Sequence, residues 1–127
     1  MSSGELASRV AALSGKSWLV LTHFGRKTGK PYNTTLWFVA DGPAIYLETA
    51  DVQRQWVRNT IKRPDVELTI DGQRFAGRVT QITDTAEQAR AQKLRNGKYL
   101  IVRILGWTGL LRLILRRPGF FRVDLQD

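Results

Sequence analysis

Ten residues, Thr22-His23-Phe24-Gly25-Arg26-Lys27-Thr28-Gly29-Lys30-Pro31, join two apolar runs, SWLVL and TTLWFVA. A hairpin needs only a small flexible connection, yet this one carries three cations and a hydroxyl. Its two glycines permit a tight turn whose backbone N–H groups can converge on an oxyanion. Arg26 supplies a planar fork that matches phosphate or carboxylate, Lys27 and Lys30 supply mobile point charges, and Thr28 adds a hydroxyl donor. The same residues also suit a solvated hairpin loop, in which glycine serves only to admit positive φ. Charge on a turn leaves both readings open.

Trp56 and Asn59 fall on one face of the helix expected after the third strand. Trp56 either anchors that helix to the sheet or, with the Asn59 amide, closes over a planar ligand. Glu48-Thr49-Ala50 would then offer a small hydroxyl and backbone groups beside it. His23 has no Ser, Cys or Asp at a triad spacing and reads as a strand-end or loop histidine. With one His and no Cys, disulfides and thiolate metal sites are excluded, and without a paired carboxylate motif a catalytic metal is not expected. No side chain is assigned as a catalytic acid or base.

The elements that must position these groups follow from periodicity. Leu6, Val10 and Leu13 have helical spacing, with Gly15 as the stop. SWLVLTHF, NTTLWFVA and AIYLETA are rich in β-branched and aromatic residues and predict three strands in a meander. Asp51 is the expected N-cap of the following helix, which Lys62-Arg63-Pro64 ends. VELTI and QRFAGRVTQI, joined by Asp71-Gly72, predict a hairpin, with Gly77 as a bulge or kink. A helix from about Ala86 to Leu94 is expected to end at Asn96-Gly97. Gly106 and Gly109 divide the next segment into two short helices, and FFRVDLQ closes the sheet. The order predicts an α+β fold, mainly β: an antiparallel sheet or small barrel with flanking helices. No strand–helix–strand unit with a glycine fingerprint is present, so a Rossmann or P-loop reading fails.

The 127 residues fit one domain, 1–127, and 43% hydrophobic content gives no reason to expect disorder. The N-terminus lacks a signal-peptide apolar region, and Arg103 and Arg112 interrupt the longest apolar stretch, Tyr99–Leu115. The expected placement is cytoplasmic. The net charge of +9 is unevenly distributed: no acid lies between Glu87 and Asp124, where nine cations fall. Such a field attracts nucleic acid, anionic membrane or a polyanionic small molecule. Nucleic acid is not expected, because the aromatics mostly look inward and no stacking platform interleaves with the cations. Peripheral membrane contact through the Tyr99–Leu115 segment is the alternative, with apolar residues buried and Arg112, Arg116 and Arg117 at the headgroups.

The chain resembles the deazaflavin (F420)-dependent nitroreductase family over about residues 19–83, roughly half its length. The resemblance rests on Gly25-Arg26-Lys27-Thr28-Gly29-x-Pro31, Leu36-Trp37, Trp56-x-x-Asn59 and Pro64-x-Val66. It implies a split β-barrel like that of the FMN-binding pyridoxamine-phosphate oxidases. It also implies coenzyme F420, a tricyclic hydride carrier with a phosphate and an oligoglutamate tail; FMN or a haem-like ligand are the alternatives for the same slot. On this basis Arg26, Lys27, Thr28 and Gly29 would hold the phosphate and tail, and Leu36, Trp37, Thr49, Ala50, Trp56 and Asn59 would line the head. The cofactor would carry the hydride chemistry to a quinone-like or other electrophilic substrate, while the protein, a monomer or homodimer, binds and orients it.

Overall fold

The computed structural model describes residues 3–109 and 117–126. Six strands, β1 Trp18–Phe24, β2 Pro31–Asp41, β3 Ala44–Thr49, β4 Asp65–Ile70, β5 Gln73–Gln81 and β6 Gly119–Gln126, close a barrel in the order β1-β2-β3-β6-β5-β4. All pairings are antiparallel, and the β1–β4 pairing, Leu21 opposite Leu68, seals it. The alternation seen in the sequence sets which residues point inward. Leu19, Leu21 and His23 of β1 are buried, whereas Trp18 is 62% exposed. Leu36, Phe38 and Ala40 of β2 join the interior cluster, and Trp37 points outward.

Each open end of the barrel is plugged by a helix. α1, Ser3–Leu13, inserts Leu6, Val10 and Leu13 into the core. It sits at the β4–β5 turn, where Arg9 donates to Gln73 at 3.4 Å and Lys16 pairs with Asp71. α2, Gln55–Lys62, plugs the opposite end with Trp56 and Val57. Because the strands alternate in direction, the β1–β2 hairpin lies at that same end. Asp51 does not cap α2. Arg54 holds the N-cap position, while the Asp51 carboxylate accepts from Gln53 N–H at 2.9 Å and from Arg117 at 3.0 Å.

Two helices cover the outer face of β2, β3 and β6. α3, Thr85–Lys98, is capped by Asp84, whose carboxylate accepts from Glu87 N–H at 2.8 Å. It continues through Asn96 and Gly97, where the sequence predicts its end. The physical reason is tertiary: ending the helix at Lys98 puts Tyr99 at its C-cap, where the hydroxyl lies 2.6 Å from Ser17 O and 2.7 Å from Phe38 O. α4, Leu100–Thr108, runs through Gly106 and stops at Gly109, which adopts φ 78. The second short helix expected beyond it falls outside the described residues. Gly77 forms no bulge; Val66, Gly77 and Leu125 sit in continuous register. A Cβ there would come within 2.5 Å of Val123 Cγ1, so the glycine serves a close approach of β5 to β6.

Candidate functional site

The β1–β2 hairpin folds on itself before it can offer anything to a ligand. Gly25 N–H donates to Lys30 O and Gly29 N–H to Gly25 O, each at 2.8 Å, and Gly29 takes φ 75. The Thr28 hydroxyl accepts from Lys30 N–H at 3.3 Å. Arg26 is then tied back to α2. Its Nη1 donates to Gln55 Oε1 at 2.7 Å and to Asn59 Oδ1 at 2.9 Å, and its backbone N–H donates to Asn59 Oδ1 at 3.2 Å. Among the described residues no acceptor meets the Nε and Nη2 edge of the guanidinium, the edge that binds carboxylate or phosphate in a bidentate manner.

Behind this contact Asn59 and His23 are buried, at 4% and 3% exposure. Asn59 Nδ2 lies 3.0 Å from His23 Nδ1, and His23 Nε2 lies 2.9 Å from Thr34 Oγ1. Arg26, Lys27, Thr28, Tyr32, Thr34 and Asn59 are among the residues lining a groove of about 540 Å³. None of the ion pairs among the described residues involves Arg26, Lys27 or Lys30. Arg54, Arg58 and Lys62 lie on or beside α2, and the Arg63 guanidinium packs against Gly29. This end of the barrel is therefore strongly basic.

Burial holds the His23 imidazole below its ordinary value of 6.5. Its ring stacks on Tyr32 at 6.0 Å, and Asn59 links it to Arg26. As pH falls the unfolded chain takes up this proton before the folded one does. Stability is therefore complete above about pH 6.5 and declines below it. Urea unfolding at about pH 7.5 and about pH 5 should show that loss, and His23→Gln should shrink the difference. An undiminished difference would mean that another group carries it.

A second cavity, of about 300 Å³, lies on the outer face beneath α3 and α4. Its walls are apolar: Val39, Tyr46, Phe120 and Leu105, with Trp37 stacked on Tyr99 at 4.7 Å and 6° between planes. The Tyr99 hydroxyl accepts from Phe38 N–H at 3.2 Å, and burial raises its pKa. Lys98 Nζ donates to Phe38 O at 2.9 Å, and burial lowers the ammonium to about 8. One ion pair, Arg95 with Glu48, lines the cavity, and Arg95 also lies over the Phe120 ring at 5.5 Å.

The structure divides the residues that the sequence grouped together. Arg26, Lys27, Thr28 and Asn59 line the groove, and Gly29 closes its turn. Trp37 and Ala50 line the outer cavity. Leu36, Thr49 and Trp56 reach neither, because strand alternation sends Leu36 inward where its neighbour Trp37 goes outward. The Thr49 hydroxyl closes a turn with the Asp51 backbone, donating at 2.9 Å and accepting at 3.2 Å. Trp56 packs edge-on against Phe121 at 5.2 Å in the core, the anchoring role.

Sequence reasoning read His23 as a strand-end histidine, which it is, but missed its burial against Asn59, and it missed Thr34, Gln55 and the Arg95–Glu48 pair. His23 shares the inward parity of Leu19 and Leu21, a signal that was available; the pair spans 47 positions and has no local signature. The acid-free segment is also less charged in effect than its composition suggests. Arg90, Arg95, Arg117 and Arg122 pair with Asp41, Glu48, Asp51 and Glu87.

Known proteins share this fold. The fold matches an F420-H2 dependent reductase (FDR-A) at TM-score 0.68 and 16% identity, covering 86% of this chain and 95% of that one. It matches a protein assigned to the pyridoxamine 5'-phosphate oxidases from Listeria innocua at TM-score 0.66 and 12% identity, covering 97% and 94%. A heme binding protein from Mycobacterium smegmatis aligns at TM-score 0.71 and 15% identity, over 99% of this chain but 52% of that one. At these identities the likeness establishes the barrel expected from the sequence. No curated protein matches the chain. The family of F420H(2)-dependent quinone reductases matches residues 2–100. With more than half of its length so matched, the chain belongs to that family, an oxidoreductase family whose cofactor is coenzyme F420.

Proposed function

We propose that this protein binds reduced F420 with the cofactor's phosphate and tail in the groove at the α2 end, and reduces an electrophilic organic acceptor of the quinone or nitroaromatic class. The observation that carries this reading is the donor set: Arg26, Lys27 and Lys30 enter none of the ion pairs among the described residues, and none of those residues accepts from the Nε and Nη2 edge of Arg26. That chemistry fits a polyanionic arm. Arg26 and Lys27 hold the arm, Thr28 and Gly29 shape the turn that presents them, and Asn59 fixes Arg26. Trp37 and Ala50, with Tyr99, bound the apolar cavity that takes a planar ring and excludes water from it. When bound, the cofactor supplies the hydride, so the protein needs no nucleophile of its own. Titration with F420 and with FMN, followed by fluorescence, tests the assignment. Saturable binding of F420 well above that of FMN is expected; binding of neither overturns it.

One observation favours an accompanying surface role. α4 leaves Leu100, Ile101 and Ile104 about half exposed or more, and Trp107 94% exposed, with Arg103 exposed among them. No helix among the described residues is long and apolar enough to cross a membrane. The acid-free sequence around α4 matches an anionic bilayer, on which a short helix of this kind lies in the interface. Leu105 and Ile101 also line the outer cavity, so such docking would open that cavity toward lipid-dissolved acceptors. Pelleting with phosphatidylglycerol vesicles but not with phosphatidylcholine vesicles is the expected result, lost in Trp107→Glu. Absence of pelleting together with concentration-dependent dimerisation would assign α4 to a homodimer instead.

A further inference from the structure

We propose that the buried Asn59–His23 pair sets the hydrogen-bond direction of the whole groove, so that Arg26 at one end and Thr34 at the other both present donors to one oxyanion. This makes Asn59 and His23 positioning residues and Thr34 a further anion ligand, and it rests on the groove being the seat of the cofactor's anionic arm. The direction follows from one obligatory step. Asn59 Oδ1 receives the Arg26 backbone N–H and the Arg26 Nη1, groups that can only donate. The atom facing them is therefore the amide oxygen, and the amide nitrogen faces His23 Nδ1 at 3.0 Å as a donor. A neutral imidazole that accepts at Nδ1 carries its proton on Nε2. That proton points to Thr34 Oγ1, 2.9 Å away. Thr34 accepts it, and the Thr34 hydroxyl proton remains to be donated.

Reversing any link sets donor against donor or acceptor against acceptor. At 3% and 4% exposure no bulk water relieves the mismatch, which carries the penalty of an unsatisfied buried group. The depressed His23 pKa agrees with a neutral ring held in one tautomer. Both ends of the chain, Arg26 and Thr34, line the same groove. A phosphate or carboxylate oxygen accepts from both, whereas a cationic ligand gains from neither.

The chain contains a single histidine, so its imidazole nitrogens can be read without assignment. Nitrogen–proton correlation spectra of the wild-type protein near neutral pH should show Nε2 protonated and Nδ1 bare. Asn59→Asp, which keeps an acceptor for Arg26 but removes the donor to His23, should move a proton onto Nδ1. Thr34→Val should weaken F420 binding by about tenfold, and Thr34→Ser should restore it. A deazaflavin core lacking phosphate and tail should bind Thr34→Val and wild type alike. In turnover, Thr34→Val should raise KM for F420 and leave kcat nearly unchanged. A wild-type Nδ1–H tautomer overturns the proposal, as does unchanged F420 affinity in Thr34→Val when Arg26→Ala has lost it. Unchanged affinity in Arg26→Ala itself overturns the groove reading, and with it the ligand role of Thr34.

Discussion

Replacing Arg26 and Lys27 together with alanine is expected to weaken F420 binding by about a hundredfold or more, as two charge-assisted contacts to an anion are lost. The two residues should contribute unequally. Arg26 is half-buried and held by Gln55 and Asn59, so little side-chain freedom is lost when an anion docks on its open edge. Lys27 is exposed and makes no ion pair among the described residues, so solvent screens its contribution. Arg26→Ala alone should therefore produce most of the loss, and Lys30→Ala little. Affinity should fall with rising salt in the wild type and much less steeply in the double variant. The core without phosphate or tail should bind both proteins equally. Wild-type affinity in the double variant would return this stretch to being a charged turn.

The second large effect lies far from the groove. Gly77→Ala is expected to destabilise the barrel by about 1–3 kcal/mol, the range for overpacking a close-packed interior. The added Cβ would sit 2.5 Å from Val123 Cγ1 and 3.3 Å from Asp124 O, and Val123 is fully buried with nowhere to move. Gly97→Ala supplies the contrast. Gly97 lies inside α3 with nothing within 4 Å of an added Cβ. The same chemical change there should stabilise by about 0.5–1 kcal/mol through backbone entropy. Urea midpoints would read both. Val123→Ala in the Gly77→Ala background should recover part of the loss, a coupling that additive effects would not give. A Gly77→Ala protein as stable as wild type would mean that β5 and β6 do not approach this closely.

The features legible in the sequence share a physical character: each depends on residues near one another along the chain. The Gly25–Pro31 turn gathers its cations within seven positions, so its charge and its tightness could be read together. Strand parity is equally local. The rule that buries Leu19 and Leu21 also buries His23, and the rule that turns Trp37 outward separates it from Leu36. The end of α3 was misplaced for the opposite reason. Asn96-Gly97 is a sound local stop, but the Tyr99 hydroxyl docks against Phe38 and Ser17, a contact across 61 and 82 positions.

By itself the sequence determined a small antiparallel barrel with helices on its flanks, a basic turn suited to an oxyanion, and a resemblance that pointed to a deazaflavin. Periodicity, turn chemistry and charge are properties of short segments, and they survive without knowledge of the fold. Only the tertiary structure decided that the turn's arginine is held rather than solvated, since Arg26 and Asn59 meet across 33 positions. Only it separated a basic groove at the α2 end from an apolar cavity on the outer face, because closure of the barrel gives every strand an inside and an outside. The direction of hydrogen bonding from Arg26 through Asn59 and His23 to Thr34 is tertiary for the same reason. It exists where one helix plugs one end of the barrel, and no single segment contains it.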